Sequence, residues 1–96
     1  MTVIGGVTFV VIARVPAEGV ALFREYEERV LPLLAEFGGK LQRRMCNADG
    51  TIEVHVVWFP STEMLERYRS DARRAAQAAL LERSQAAIEL LALSDM

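Results

Sequence analysis

The sequence predicts an α+β domain of the ferredoxin-like type: an antiparallel four-stranded sheet in the order 4-1-3-2 with two helices on one face. Three observations carry this. The segments run strand, helix, strand, strand, helix, strand from Val7 to Ser94. Val7–Arg14 (VTFVVIAR) and Ile52–Phe59 (IEVHVVWF) are nearly continuous apolar runs, whereas Lys40–Cys46 (KLQRRMC) is largely polar and Ile88–Ser94 (IELLALS) is mixed. A strand flanked on both sides tolerates few polar groups and an edge strand tolerates many, so the first and third strands are central. Asp49-Gly50 between the second and third runs is a strong hairpin signal.

Each element has its own local reason. Met1–Gly6 is a short lead. The first strand stops before Pro16, which cannot donate to a ladder. A helix begins near Ala17-Glu18, with Val20, Phe23, Val30, Leu33, Leu34 and Phe37 as one apolar stripe. Glu25, Glu27, Glu28 and Arg29 are assigned to its solvated side. Pro32 removes one hydrogen bond and is expected to kink the helix near Glu28-Arg29. Gly38-Gly39 ends it, because the left-handed position after a helix favours glycine. Ser61 is placed to cap the second helix, with Glu63 in its first turn. Met64, Leu65 and Tyr68 form the inner stripe of that helix, Ser70-Asp71 interrupts and recaps it, and Ala72–Arg83 continues with Ala75, Ala76, Ala79 and Leu80 inward.

Composition bounds the function. Ninety-six residues suffice for a single domain, 1–96. So small a body buries a modest share of its surface, yet 52% of its residues are apolar. Two helices cover one sheet face, and the other needs a partner. A second copy of the chain is the simplest occupant. The net charge of −2 argues against nucleic acid, whose phosphates demand a basic patch. Arg43-Arg44 and Arg73-Arg74 are each offset by nearby acids and read as ordinary charged positions. No run reaches the ~18 apolar residues of a membrane span. Val3–Ala13 lacks the flanks of a signal peptide and reads as strand. A cytoplasmic location is the default. Cys46, the one cysteine, has no partner and no nearby histidine and is expected to be a buried, inert thiol.

Pro32–Gly39 (PLLAEFGG), Trp58–Ser61 (WFPS) and Met64–Ser70 (MLERYRS) resemble the end of helix one, the third strand and the second helix of the dimeric α+β-barrel superfamily. That group includes antibiotic-biosynthesis-monooxygenase-like and NIPSNAP-like proteins. The resemblance spans residues 7–94. It implies two protomers joined through their open sheet faces into a closed barrel with a central cavity. It also implies chemistry drawn from a set that includes cofactor-independent oxygenases, cyclases and haem-degrading enzymes. No catalytic motif of one branch is matched, so no catalytic residue is carried over.

His55 is the only histidine and lies mid-strand. With a two-residue turn at Asp49-Gly50, Arg44 faces His55 and Cys46 faces Glu53; with a four-residue loop, Arg44 faces Glu53 and Gln42 faces His55. Both registers gather Gln42, Arg44, Glu53 and His55 on one face. An imidazole beside a carboxylate and a guanidinium could act as general base, with the cation steadying an enolate or phenolate. Against this stands a hydrogen-bonded histidine with an edge-strand ion pair. Composition directs Glu53 and His55 to the lumen, because Ile52, Val54, Val56 and Trp58 form a wholly apolar alternate face, and this assignment is given the greater weight. The family motif suggests the reverse, with His55, Val57 and Phe59 beneath the helices and Trp58 in the lumen. A bulge would also flip the second strand.

Trp58 is core or a flat wall for an aromatic ligand. Arg14 could hold an anionic group at the barrel mouth, and Tyr26 and Tyr68 could each direct a hydroxyl into a pocket. No metal site is expected, because one histidine and one cysteine lack clustered carboxylates. No cofactor is expected either: no glycine-rich phosphate loop is present, and His55 would be the sole axial ligand for haem. The leading expectation is a homodimeric barrel binding a small apolar, aromatic or polyketide-like molecule, with cofactor-independent monooxygenase or cyclase chemistry. In it His55 is the catalytic base, Arg44 or Arg14 is the anion partner, and Glu53, Trp58, Tyr26 and Tyr68 contact substrate. The alternatives are a non-catalytic ligand-binding or stress-response module and a purely structural dimerisation domain.

Overall fold

A computed structural model describes residues 5–96; the lead Met1–Ile4 and the start of the run at Val3 lie outside them. Strands β1 (Val7–Arg14), β2 (Lys40–Cys46), β3 (Ile52–Phe59) and β4 (Ala87–Leu93) form one antiparallel sheet in the order β2-β3-β1-β4, the expected 4-1-3-2 read from its other edge. β1 and β3 are central and the polar β2 is an edge. Helices α1 (Val20–Val30), α2 (Thr62–Arg69), α3 (Ala72–Ala75) and α4 (Ala78–Ser84) complete the fold. No helix among the described residues is long and apolar enough to cross a membrane.

The local chemistry fixes most boundaries. The Ser61 side chain accepts a hydrogen bond from the Met64 amide at 3.2 Å, and Asp71 recaps the chain by accepting from the Arg73 amide at 2.7 Å. Gly38 takes the left-handed conformation, φ +73°, where the first helical segment ends. Pro32 acts differently from the expected kink. Lacking an N–H for the Glu28 carbonyl, it stops α1 at Val30, and Leu31–Phe37 continues as a 3-10 helix. The alanine-rich stretch is not one helix either. A turn at Ala76-Gln77 separates α3 from α4, and Ala76 and Ala79 face solvent.

Strand alternation sorts the sheet's residues between two environments. Phe9, Ala13, Glu53, His55, Val57 and Phe59 are buried beneath the helices. Thr8, Val10, Ile12, Arg14, Ile52, Val54, Val56 and Trp58 fall on the opposite face, where no element among the described residues covers them and each is half-buried or exposed. Exposed Met45, Leu91 and Leu93 extend that apolar face onto the edges.

The covered face packs as two groups. Phe9, Leu34, Val57, Phe59, Leu65 and Tyr68 form one; Ala13, Val15, Phe23, Tyr26 and Val30 form the other. Gly19 permits the chain before α1 to touch the Ser84 carbonyl at the end of α4, a contact that a side chain would block. Phe59 is 1% exposed and packs against the Tyr68 ring. Phe59→Ala is therefore expected to cost about 3–5 kcal/mol, read as a lowered denaturation midpoint in urea. A loss within about 0.5 kcal/mol, the range of surface substitutions, would contradict this packing.

Candidate functional site: a buried acid–imidazole cluster beside an apolar cavity

The face assignment drawn from composition is corrected here. Glu53 and His55 lie under the helices, and the apolar series Ile52, Val54, Val56 and Trp58 lies on the open face. The physical reason is a second acid. Glu27, assigned from sequence to the solvated side of its helix, is 2% exposed and faces the sheet from α1. Buried polar groups are tolerated when they satisfy one another, and Glu27 and Arg44 do this for Glu53 and His55.

The hairpin sets the cluster's register. Arg44 stands opposite His55 and Cys46 opposite Glu53, the two-residue-turn alternative. A bulge between Leu41 and Arg43 removes Gln42 from the ladder, so Gln42 does not join the group. His55 Nε2 lies 2.7 Å from Glu53 Oε1 and 2.9 Å from Glu27 Oε2. Arg44 donates through Nε to Glu53 Oε1 at 3.1 Å and through Nη2 to Glu27 Oε1 at 2.9 Å. The single hydrogen on Nε2 serves Glu53, and Glu27 Oε2 is left buried without a hydrogen bond.

Burial pushes the Glu27 carboxyl up; His55 opposes this, the neighbouring Glu53 adds to it, and the net direction is upward. Burial acts upward on Glu53 too, but hydrogen bonds from its partners, Arg44 and His55 among them, outweigh it and hold Glu53 below its ordinary value. Burial alone would depress His55; the nearby Glu27 carboxylate and the hydrogen-bonded Glu53 prevail and hold it above 6.5. Two acids are thus faced by a guanidinium and by an imidazole whose protonated form they favour. The carboxylates of Glu27 and Glu53 and the His55 ring nitrogen lie within 4.8 Å of one another and could ligate a cation. The expectation of no metal site assumed that no carboxylates cluster here, and that premise fails. However, Arg44 already holds one oxygen of each carboxylate and supplies the positive charge a metal ion would bring, so the residues fit an ion-pair network better than a metal centre.

His55 and Glu27 also form part of the wall of a cavity of about 410 Å³ between sheet and helices. Most of its lining is apolar, including Phe9, Val11, Val57, Leu65 and Leu81. Tyr26, Tyr68 and Arg74 add polar atoms. The Tyr68 hydroxyl donates to the Val30 carbonyl at 3.1 Å, and burial pushes it up to about 12. Arg74 donates through Nη2 to the Tyr26 hydroxyl at 2.8 Å. On the outer side of the cluster, Arg44 and Glu53 border a groove shared with Arg24, Glu28, Met45 and Cys46.

The sequence-derived candidates therefore divide. His55, Tyr26 and Tyr68 line the cavity, Glu53 and Arg44 back His55 from outside, and Trp58 and Arg14 are on the open face. Trp58 donates its indole N–H to the Gly5 carbonyl and lies under the Lys40 ammonium. Arg14 pairs with Glu89 of β4 at 3.5 Å, both side chains well exposed. Cys46 is exposed rather than buried, because β2 is an edge strand. Sequence reasoning missed Glu27 and Arg74. Glu27 had a signal: Phe23, Glu27, Val30 and Leu34 follow a four-three-four spacing that marks a helix seam. Arg74 had none beyond its exposed, acid-paired neighbour Arg73.

No family model matches the chain, and no curated protein is significantly similar to it in sequence. Solved structures are similar in fold. A candidate antibiotic biosynthesis monooxygenase of Caulobacter crescentus superposes with a TM-score of 0.69 at 16% identity, over 95% of this chain and 92% of that one. SnoaB of Streptomyces nogalater, a cofactor-independent oxygenase, gives 0.58 at 19% identity, over 97% and 95%. A dimeric ferredoxin-like protein of unknown function from Bacteroides fragilis gives 0.66 at 12% identity, over 93% and 95%. The chain thus shares the ferredoxin-like fold of these proteins. At such identities the likeness establishes the fold, and chemistry must be argued from the site.

The cluster makes stability pH-dependent with a definite sign. A group whose value is raised on folding stabilises below its unfolded value, and that contribution is lost as pH rises through the folded one. For His55 the loss falls above 6.5, and Glu27, also raised, adds to the decline. Glu53, lowered on folding, contributes above 4.5 and loses its contribution in acid. The melting-temperature gap between the wild type and His55→Gln is expected to be widest between pH 4.5 and 6.5 and to narrow above 6.5. A gap that widens as pH rises would refute the protonated, carboxylate-held imidazole.

Proposed function

We propose that this protein is a homodimer that binds a small aromatic or polyketide-like molecule in the cavity of each protomer. There it carries out cofactor-independent proton-transfer chemistry of the monooxygenase or cyclase kind. The single observation behind this is the cavity of about 410 Å³, apolar over most of its wall with a few convergent polar groups. That is the usual make-up of a small-molecule site. The homodimer rests on the uncovered apolar sheet face and on the dimeric description of the Bacteroides fragilis neighbour. In it Trp58 and Arg14 belong to the contact between protomers rather than to the substrate site.

The proton acceptor is Glu27 rather than His55. Its carboxylate neighbours raise the proton affinity of His55, which favours the imidazolium and leaves less free ring nitrogen to accept a proton. Glu27 Oε2 is buried without a hydrogen bond among the described residues, and burial raises its affinity for a proton, which suits it to accept one. An acidic C–H or phenolic O–H set against Glu27 would give up its proton to that oxygen. The His55 imidazolium, fixed by Glu53, would steady the enolate or phenolate left behind. Such an anion can react with dioxygen or close a ring on its own carbonyl, which is where oxygenase and cyclase chemistry diverge.

One observation favours a second reading, a binding module without turnover. The four charged groups of the cluster already neutralise one another. A thermal-shift screen of aromatic acids, phenols and polyketides separates the two, since a ligand of the folded state raises the melting temperature with concentration. Compounds that bind are then followed for oxygen uptake or loss of water. Turnover is expected for at least one, with kcat in Glu27→Gln reduced about 10²–10⁴-fold and binding largely kept. Full turnover by Glu27→Gln would remove Glu27 from the chemistry. Binding without any turnover would leave the binding module.

A further inference from the structure

Arg73 and Arg74 are adjacent, yet their surroundings differ sharply. Arg73 lies at the surface, donating twice to Glu36 at 3.0 Å each and also to Asp71. Arg74 lines the cavity and has no carboxylate within 4.0 Å among the described residues. Its donors go to neutral groups: Nη2 to the Tyr26 hydroxyl at 2.8 Å and Nη1 to the Arg69 carbonyl at 3.2 Å. The guanidinium stands over the Tyr68 ring, 4.6 Å from its centroid. Its Nε is buried and has no hydrogen-bond partner. A buried N–H left unmade and a cation left unpaired are both costly, and an anion removes both costs together.

The other charges on the cavity wall do not supply that anion. Glu27 is held by Arg44 and His55, and Arg69 pairs with Glu66 at 3.4 Å. The cavity is thus an apolar chamber with one guanidinium that lacks a counter-ion. Beside that guanidinium, the Tyr26 oxygen accepts from Arg74 and keeps its own hydrogen for a further acceptor.

We propose that the cavity selects an anionic aromatic ligand, an aromatic acid, and seats its charged group against the Arg74 guanidinium with the Tyr26 hydroxyl as second donor. This rests on the cavity being the binding site and adds the chemical class of its occupant. Charge-assisted bonds from arginine to a carboxylate are among the stronger hydrogen bonds, and the surrounding apolar wall rejects a small hydrated ion in favour of an aromatic body.

The test is a matched pair of probes, 2-naphthoate and its neutral amide, titrated by calorimetry against the full chain. Wild type is expected to bind the acid at least about tenfold more tightly than the amide, the step one charged hydrogen bond provides. Arg74→Gln is expected to bring that ratio close to one while amide affinity stays put. Tyr26→Phe, which keeps the ring packed on Phe23, is expected to reduce the ratio part-way and guards against a misfolded Arg74 variant. Arg73→Gln is expected to leave the ratio unchanged. Equal affinity for acid and amide in the wild type, or a preference that survives Arg74→Gln, would overturn the anion site while leaving the cavity as a binding site. Failure of both probes to bind would overturn the proposal and count against the cavity itself.

Discussion

Glu27 brings a carboxylate to the face of α1 that packs on the sheet, and much of this molecule's architecture follows from keeping that charge satisfied. Its two oxygens meet Arg44 from the edge strand β2 and His55 from the central strand β3. Helix, edge and centre are thereby tied at one point beneath the surface. Ion pairs of this kind seldom add much net stability over an apolar replacement, but breaking one leaves a buried charge and is costly. Their contribution is geometric. The cluster fixes how α1 sits over β3 and prevents that stretch of core from closing into a continuous apolar layer. The apolar packing falls into two groups, and the cavity draws its wall from both.

Alternation in the strands then separates two roles that a single sequence must serve. Odd-numbered positions of β1 and β3 build the core, the cluster and the cavity wall. Even-numbered positions build an apolar face that the helices never reach. A one-residue slip in β3 would exchange the two sets. The bulge at Gln42 makes such an exchange within β2 and leaves Arg44, rather than Arg43, pointing to the helices. The cavity wall and the uncovered apolar face therefore occupy opposite sides of the same strands, and changes on one side need not disturb the other.

The fold was legible because the contrast between Val7–Arg14 and Lys40–Cys46 reports directly on which strands have two neighbours. Ser61, Asp71 and Gly38 marked element ends through chemistry that acts within a few residues. The site was less legible for the same reason inverted: its members lie far apart in the chain. His55 and Arg44 were found through hairpin register, which is local. Glu27 was overlooked because a glutamate on a helix is usually solvated, and only its partners on the sheet make burial tolerable. The faces of β3 were exchanged because an apolar face was taken to mean core, when the helices cover the face that carries Glu53 and His55. Arg74 was hidden by Arg73, whose acidic partners made the pair look ordinary.

The most direct measurement is of where a bound aromatic ligand lies. Intermolecular NOEs from 2-naphthoate to valine and leucine methyl groups distinguish the two faces residue by residue. Cross-peaks to Val11, Val57 and Leu81, which line the cavity under the helices, are the expected result. Cross-peaks to Val10, Val54 and Val56, on the open face, would place the ligand between sheets and contradict the site described.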